Sequence, residues 1–287
     1  MPLSLIRGRF RILNTEPDGD SVRFIPTDPA AFSAVGIAAK LGSGGAAQLR
    51  LDAIDALETH YTPRVPGGSV HHQPPEFADA AAATLLTLLG FTDVQRTGQR
   101  VTAVDPAETD GYILTRFADK YGRPVSFAFA GTPDEADLSP VFLQPDRLRS
   151  SLNYQLLSAG LAYPTYYSKL YADLRDALTA AATGARTAAT GLWAADTTQS
   201  GTTIDSADTL TDHAVILPKL FRRLTDYLAL GAGDLSLAEL PTFLASHNAR
   251  LFVLSERRAT GFDNLITVND QTVTLTKVPE DLVFLEA

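Results

Sequence analysis

Apolar and polar residues alternate over residues 5–13 and again over 21–26 ("SVRFIP"), and this period of two predicts two strands. Between them "NTEPDGD" concentrates Pro, Asp and Gly and predicts a turn. Residues 27–47 predict a short helix followed by a glycine loop ("GSGG"), and an apolar strand is expected over 48–54. "TPRVPGGSVHHQPP" reads as loop. "PEFADAAAATLLTLLGF" reads as helix, with Pro at its start, Glu76 near the positive end of the dipole and Gly90 at its close. Strand-like segments follow around 101–104, 111–117 and 124–130, the last two joined by the turn "ADKYGRP". "RSSLNYQLLSAGLA" predicts a helix that stops at Gly160, and Leu170, Leu174, Leu178 and Ala182 predict an amphipathic helix within 168–190. After a linker-like stretch over 194–212, the pattern predicts helices over 214–230 and 235–245. Strands are expected over 250–255, 264–268 and 272–276, with a hairpin near "VNDQTV".

About five strands interrupted by one helix fit a mainly β, five-stranded barrel of the OB type with helices around it. A small α+β unit follows. The expected division is a first domain over 1–195, a linker over 196–212 and a C-terminal domain over 213–287, the last matching nothing by pattern. The 287 residues are 45 % hydrophobic, enough for real cores. No apolar run reaches the roughly 20 residues that span a bilayer. "MPLSLIRGRFRILN" has neither a sustained apolar core nor a small-residue cleavage site, so a cytoplasmic location is the expectation. The absence of cysteine excludes disulfides, thiolate metal sites and cysteine nucleophiles. A net charge of −9 argues against a broad basic face for nucleic acid. The excess is uneven: residues 200–287 hold 12 acids and 7 bases, residues 1–199 hold 21 and 17. A local basic patch in the first part stays compatible with transient contact to a polyanion.

Candidate chemistry starts where the apolar strand of "QLRLDAIDALETHY" (48–61) fills with charge: Arg50, Asp52, Asp55 and Glu58. Asp18 and Asp20 lie in the turn "PDGD". Two acidic turns that meet can hold one Ca²⁺ or Mg²⁺, which take oxygen ligands from carboxylates and carbonyls. The alternative is ordinary solvated turn residues. Arg50, inside an apolar strand, needs an acid, a ligand or water within reach. Arg123 by itself reads as an exposed turn residue. His71 and His72 read as solvated loop residues, and Trp193 as a packing anchor.

Taken in order, "DGDSVRF", "RLDAIDALET", "DKYGRP", "LNYQLLSAGLAYPTYY" and "GLW" resemble the successive motifs of the staphylococcal nuclease family over roughly residues 5–195, with insertions near 27–47 and 97–110. The resemblance implies an OB-fold Ca²⁺-dependent nuclease that hydrolyses DNA and RNA, single strands preferred, with little sequence specificity and 3′-phosphate products. It implies Arg50 and Arg123 as catalytic arginines and Glu58 as general base. It assigns Asp20, Asp55 and the carbonyl of Ala56 to the metal, with Asp18 outside them. Lys120, Tyr121 and Tyr166 become contacts to phosphate and base. The family's proline beside the glutamate is Leu57 here, and a second tyrosine of the base wall is Ser168. The competing reading is a catalytically weak OB-fold module that binds nucleic acid or protein. For the C-terminal part, dimerisation or protein binding is the expectation.

Overall fold

The computed structural model describes residues 2–65, 68–206, 208–231 and 234–285. It shows a mixed α/β protein with a nearly closed, barrel-like sheet and several helices. The chain forms two compact units that interleave along the sequence: Met1–Asp52 with Ala81–Leu156, and Ala53–Ala80 with Leu157–Ala287.

In the first unit the sheet runs Ala47–Gln48, Arg23–Pro26, Leu3–Phe10, Thr109–Ala118, Pro124–Ala130, Arg50–Leu51. Strands lie about 4.8 Å apart, so these six laid flat would be roughly 24 Å across. The two outermost strands are separated in sequence by Leu49 alone, a reach of roughly 7 Å at most. The sheet must therefore curl until its edges approach each other. Glycine permits the tight packing inside the curl. Gly8 and Gly111 are register partners. A Cβ on Gly111 would lie 2.3 Å from the Phe10 ring and 2.6 Å from the Phe129 carbonyl oxygen. The Phe10 and Phe24 rings fill that space, 5.3 Å apart. Leu5, Ile6, Ile12, Leu49, Leu51, Ile113 and Phe127 are also buried in this unit.

The expected continuous strand over 48–54 is broken. Arg50–Leu51 runs parallel to Pro124–Ala130. Ile54–Asp55 pairs antiparallel with Tyr163–Pro164 in the second unit. Between them Ala53 adopts φ +66°, a left-handed conformation that costs a non-glycine residue about 1 kcal/mol. A hairpin of Thr92–Thr97 and Arg100–Asp105 extends the expected segment at 101–104. Its first strand, "TDVQRT", is almost wholly polar and gave no apolar alternation to read.

Besides the Ile54–Asp55 and Tyr163–Pro164 pair, the second unit holds two small sheets. One is ordered Tyr166–Tyr167, Leu282–Phe284, Arg250–Val253, Arg258–Gly261; the other Thr202–Thr203, Thr272–Leu275, Ile266–Asn269. One buried cluster joins Leu57, Tyr163, Trp193, Ile204, Leu220, Phe221, Leu251, Phe262, Leu275 and Leu282. Residues 213–287 thus share a core with 157–204 instead of closing one of their own. The stretch expected as a linker is built into it. Thr198 is buried, and its hydroxyl accepts the Leu217 N–H at 3.0 Å. Thr202–Thr203 pairs with Val273 and Thr272. Polar composition suggested a linker because threonine and serine serve equally well in buried hydrogen bonding. Trp193 is a packing anchor, edge-on to Tyr163 at 4.9 Å between ring centres. Among the described residues no helix is long and apolar enough to cross a membrane.

Candidate functional site

In the first unit, backbone pairing sets the arginines. Leu49 and Leu51 donate to the carbonyls of Val22 and Asp20, each at 2.9 Å, which lays the acidic turn along the strand that carries Arg50. The turn is held by Asp18, whose Oδ1 accepts the N–H of Asp20 (3.1 Å) and of Ser21 (2.7 Å). Arg50 Nη1 donates to Asp20 Oδ2 at 2.9 Å, with both side chains largely buried. The cation that looked isolated in an apolar strand therefore has its acid thirty residues upstream, and each charge offsets the desolvation of the other.

Arg50 is the register partner of Val125, two residues beyond Arg123. Adjacent strands plus two residues of rise put the Arg50 and Arg123 Cα atoms on the order of 8 Å apart. The turn before Arg123 is organised by Asp119. Its Oδ1 accepts the N–H of Tyr121 and of Arg123, each at 2.9 Å, and its Oδ2 accepts Arg123 Nε at 2.7 Å. This fixes the guanidinium by its inner nitrogen; among the described residues, no hydrogen bond engages its outer two. Tyr121, about half exposed, lies 5.6 Å from the Arg123 guanidinium and 5.4 Å from the Lys120 ammonium. Gly122, at φ +80°, accepts the Lys40 N–H at 2.8 Å, and a Cβ there would lie 2.6 Å from Lys40 Cβ. Lys40, from the 27–47 segment, thus adds a further cation beside this turn. Asn153 was not foreseen. Fully buried, it donates to the carbonyls of Asp52 (2.8 Å) and Ser126 (3.1 Å) and accepts the Ala128 N–H at 3.1 Å, pinning the chain just after Arg50.

In the second unit, Asp55 and Glu58 meet a residue the sequence did not single out. Arg222, on the helix Pro218–Leu230, donates Nη2 to Asp55 Oδ2 at 2.7 Å and Nη1 to Asp55 Oδ1 at 3.2 Å. Nη1 also donates to Glu58 Oε1. The Asp55 side chain has no exposed surface; those of Glu58 and Arg222 are 17 % and 23 % exposed. Burial alone would lower the Arg222 pKa, but the two carboxylates outweigh it and hold the group well above the usual arginine range. Asp226, one helical turn further on, takes the Tyr61 hydroxyl at 2.8 Å and the Arg64 N–H at 3.1 Å. Burial, and then this carboxylate, push the Tyr61 phenol well up. Residues 55–64 therefore follow one face of the helix. Gln73, fully buried, locks them to its start: Oε1 accepts the Glu58 N–H (3.2 Å) and Nε2 donates to the Ile216 carbonyl (2.8 Å).

Two expected assignments change. Tyr166 is fully buried, with its hydroxyl 3.0 Å from Thr179 Oγ1, so it packs within the second unit and offers no ring to a base. Calcium fits poorly at Asp55, where both carboxylate oxygens bind guanidinium N–H groups, while Asp20 Oδ2 binds Arg50. Ala56 is buried beside Asp55, and a lone carbonyl makes no metal site. Asn153 and Arg222 had no signal of their own, since each acts on positions 25 to 167 residues away, and Asp119 gave none beyond its place in the turn. No family model and no curated protein matches the chain.

Proposed function

We propose that the first unit's curled sheet is an OB-type barrel of the staphylococcal nuclease kind and that the protein hydrolyses phosphodiester bonds of single-stranded nucleic acid. The observation that carries this is the pairing of Arg50 with Val125, which seats two guanidinium residues at neighbouring strand ends. Planar forks match the oxygens of a phosphate, and their charge grows in value as phosphorus becomes five-coordinate. Lys120, Tyr121 and Lys40 extend that patch with two cations and an exposed ring, the combination that tracks a single strand. The first unit carries 13 Lys and Arg against 14 acids and the second 11 against 19, so the nearly neutral unit is the one suited to a polyanion. By resemblance, Glu58 takes a proton from water as the water oxygen bonds to phosphorus. The P–O bond to the leaving sugar breaks, and solvent protonates the departing alkoxide.

One observation favours a second reading, a module that binds nucleic acid without useful turnover. Glu58 is ion-paired to Arg222, so one of its oxygens is engaged by a guanidinium. A fluorescent single-stranded oligonucleotide separates the two, with cleavage and binding measured in parallel. Under the first reading Arg50→Ala, Arg123→Ala and Glu58→Gln each slow cleavage on the order of 10²–10³-fold. Binding that is salt-dependent and weakened by Arg123→Ala, without cleavage, selects the second. Neither binding nor cleavage refutes both.

A further inference from the structure

We propose that Arg222 is a built-in cation that stands where the nuclease resemblance would put a divalent metal at Asp55, so that the second unit binds its two acids together without a metal. The inference deepens the reading of Asp55 and Glu58 given above, and it rests on that reading for the claim that a metal would otherwise be expected there.

Three oxygen atoms receive Arg222: both of Asp55 and Oε1 of Glu58. A divalent cation between two carboxylates does the same two things: it neutralises charge that burial would otherwise penalise, and it fixes the oxygens relative to one another. A guanidinium does both with five N–H donors in a plane, and it cannot lose its proton at any ordinary pH. The scaffold aims it. Pro218 opens the helix, the Gln73 side chain ties the segment just before it to Glu58, and Asp226 one turn later fastens Tyr61 and Arg64 to the same helical face. Arg222 is thus held at both ends of its own turn by bonds to the chain segment that carries the acids. An occasional surface ion pair has no such framing.

The proposal makes the wild-type protein indifferent to calcium and predicts that removing the guanidinium uncovers a cation site. The probe is Ca²⁺ alone, with Tb³⁺ luminescence as an independent reporter, on the full chain. Wild type is expected to show no saturable Ca²⁺ binding up to 10 mM (about 10⁻² M, weaker than even the loosest extracellular calcium modules) and no change of melting temperature with Ca²⁺ or chelator. Arg222→Ala is expected to bind Ca²⁺ at least tenfold more tightly than wild type and to melt higher as Ca²⁺ rises; sodium at equal ionic strength gives no such gain. Arg222→Ala/Asp55→Asn is expected to lose that response. Saturable Ca²⁺ binding by wild type that Asp55→Asn abolishes overturns the proposal, and this arm needs no Arg222 variant to fold. A folded Arg222→Ala that ignores Ca²⁺ overturns it equally. Both readouts are binding and melting, so a failure of catalysis would refute the nuclease reading and leave this one standing.

Discussion

Replacing Arg222 with methionine removes a cation from a carboxylate that has no exposed surface. It makes two bonds to Asp55, at 2.7 and 3.2 Å. Truncating one partner of a buried, hydrogen-bonded pair costs about 3–5 kcal/mol, because the remaining charge is left desolvated. For a cooperative unit of this size each kcal/mol lowers the melting temperature by roughly 2–4 °C, so Arg222→Met is expected to melt roughly 6–20 °C below wild type. Asp55→Asn should cost a similar amount by stranding the guanidinium. The double variant Asp55→Asn/Arg222→Met buries an amide and a thioether of similar shape and leaves only Glu58, which reaches solvent. Its loss should be well below the sum of the two single losses, by about 2 kcal/mol or more.

Urea unfolding read by tryptophan fluorescence reports this directly. Trp193 is the sole tryptophan, buried against Tyr163 in the core that contains the ion pair. If Arg222→Met costs under about 1 kcal/mol, or if the double variant loses the full sum, the pair is not a buried couple.

Two other outcomes follow from packing and protonation. Gly111→Ala places a Cβ 2.6 Å from the Phe129 carbonyl oxygen, which belongs to the neighbouring strand and cannot step aside as a side-chain tip would; a loss of about 1–3 kcal/mol is expected by urea unfolding, and an unchanged midpoint would refute the curled packing. Burial, helped by the neighbouring His72, holds His71 below the ordinary histidine value of 6.5. The unfolded chain therefore takes up that proton first, so this contribution is complete above pH 6.5 and declines as pH falls towards the folded value; His71→Gln should flatten the dependence of stability between pH 7 and 5, and an identical slope in the variant would exclude His71.

Several elements announced by a local pattern were found where the pattern put them. The helix Pro75–Leu88 carries Pro at its start and closes before Gly90 at φ +89°. The chain turns at Gly160 at φ +65°, and the hairpin at "VNDQTV" pairs Ile266–Asn269 with Thr272–Leu275. Strands Arg258–Gly261 and Leu282–Phe284 were not foreseen. The first has no apolar alternation, and the second is three residues whose partner, Arg250–Val253, lies about 30 residues upstream. The site divides the same way. Arg50 stood out as a cation inside an apolar strand, whereas Arg123 by itself read as an exposed turn residue and was singled out only by the resemblance. Arg222 did not stand out: "PKLFRRLTDYL" is an ordinary amphipathic helix, and only tertiary packing tells which of its two adjacent arginines meets Asp55 and Glu58 and which meets Asp226. Asn153, likewise, sits in a leucine-rich helix where its burial leaves no mark on the periodicity.

The charges of Arg50, Asp55 and Glu58 follow the course of the chain. The cation stays with the first unit, where Asp20 pairs with it on the edge of the curled sheet. After Asp52 the backbone turns through left-handed Ala53 and enters the second unit, where Asp55 and Glu58 find Arg222. One short segment thus passes from a core that supplies an acid for its base to a core that supplies a base for its acids. Each counter-charge comes from far away in sequence, 30 residues back for Arg50 and 167 forward for Asp55. A nearer partner would serve a solvated turn just as well. At Arg50, Asp55 and Glu58 the buried charge, costly on its own, is tolerated because a partner of opposite sign meets it. Any catalytic use of Glu58 must therefore begin with what Arg222 does when a phosphate approaches.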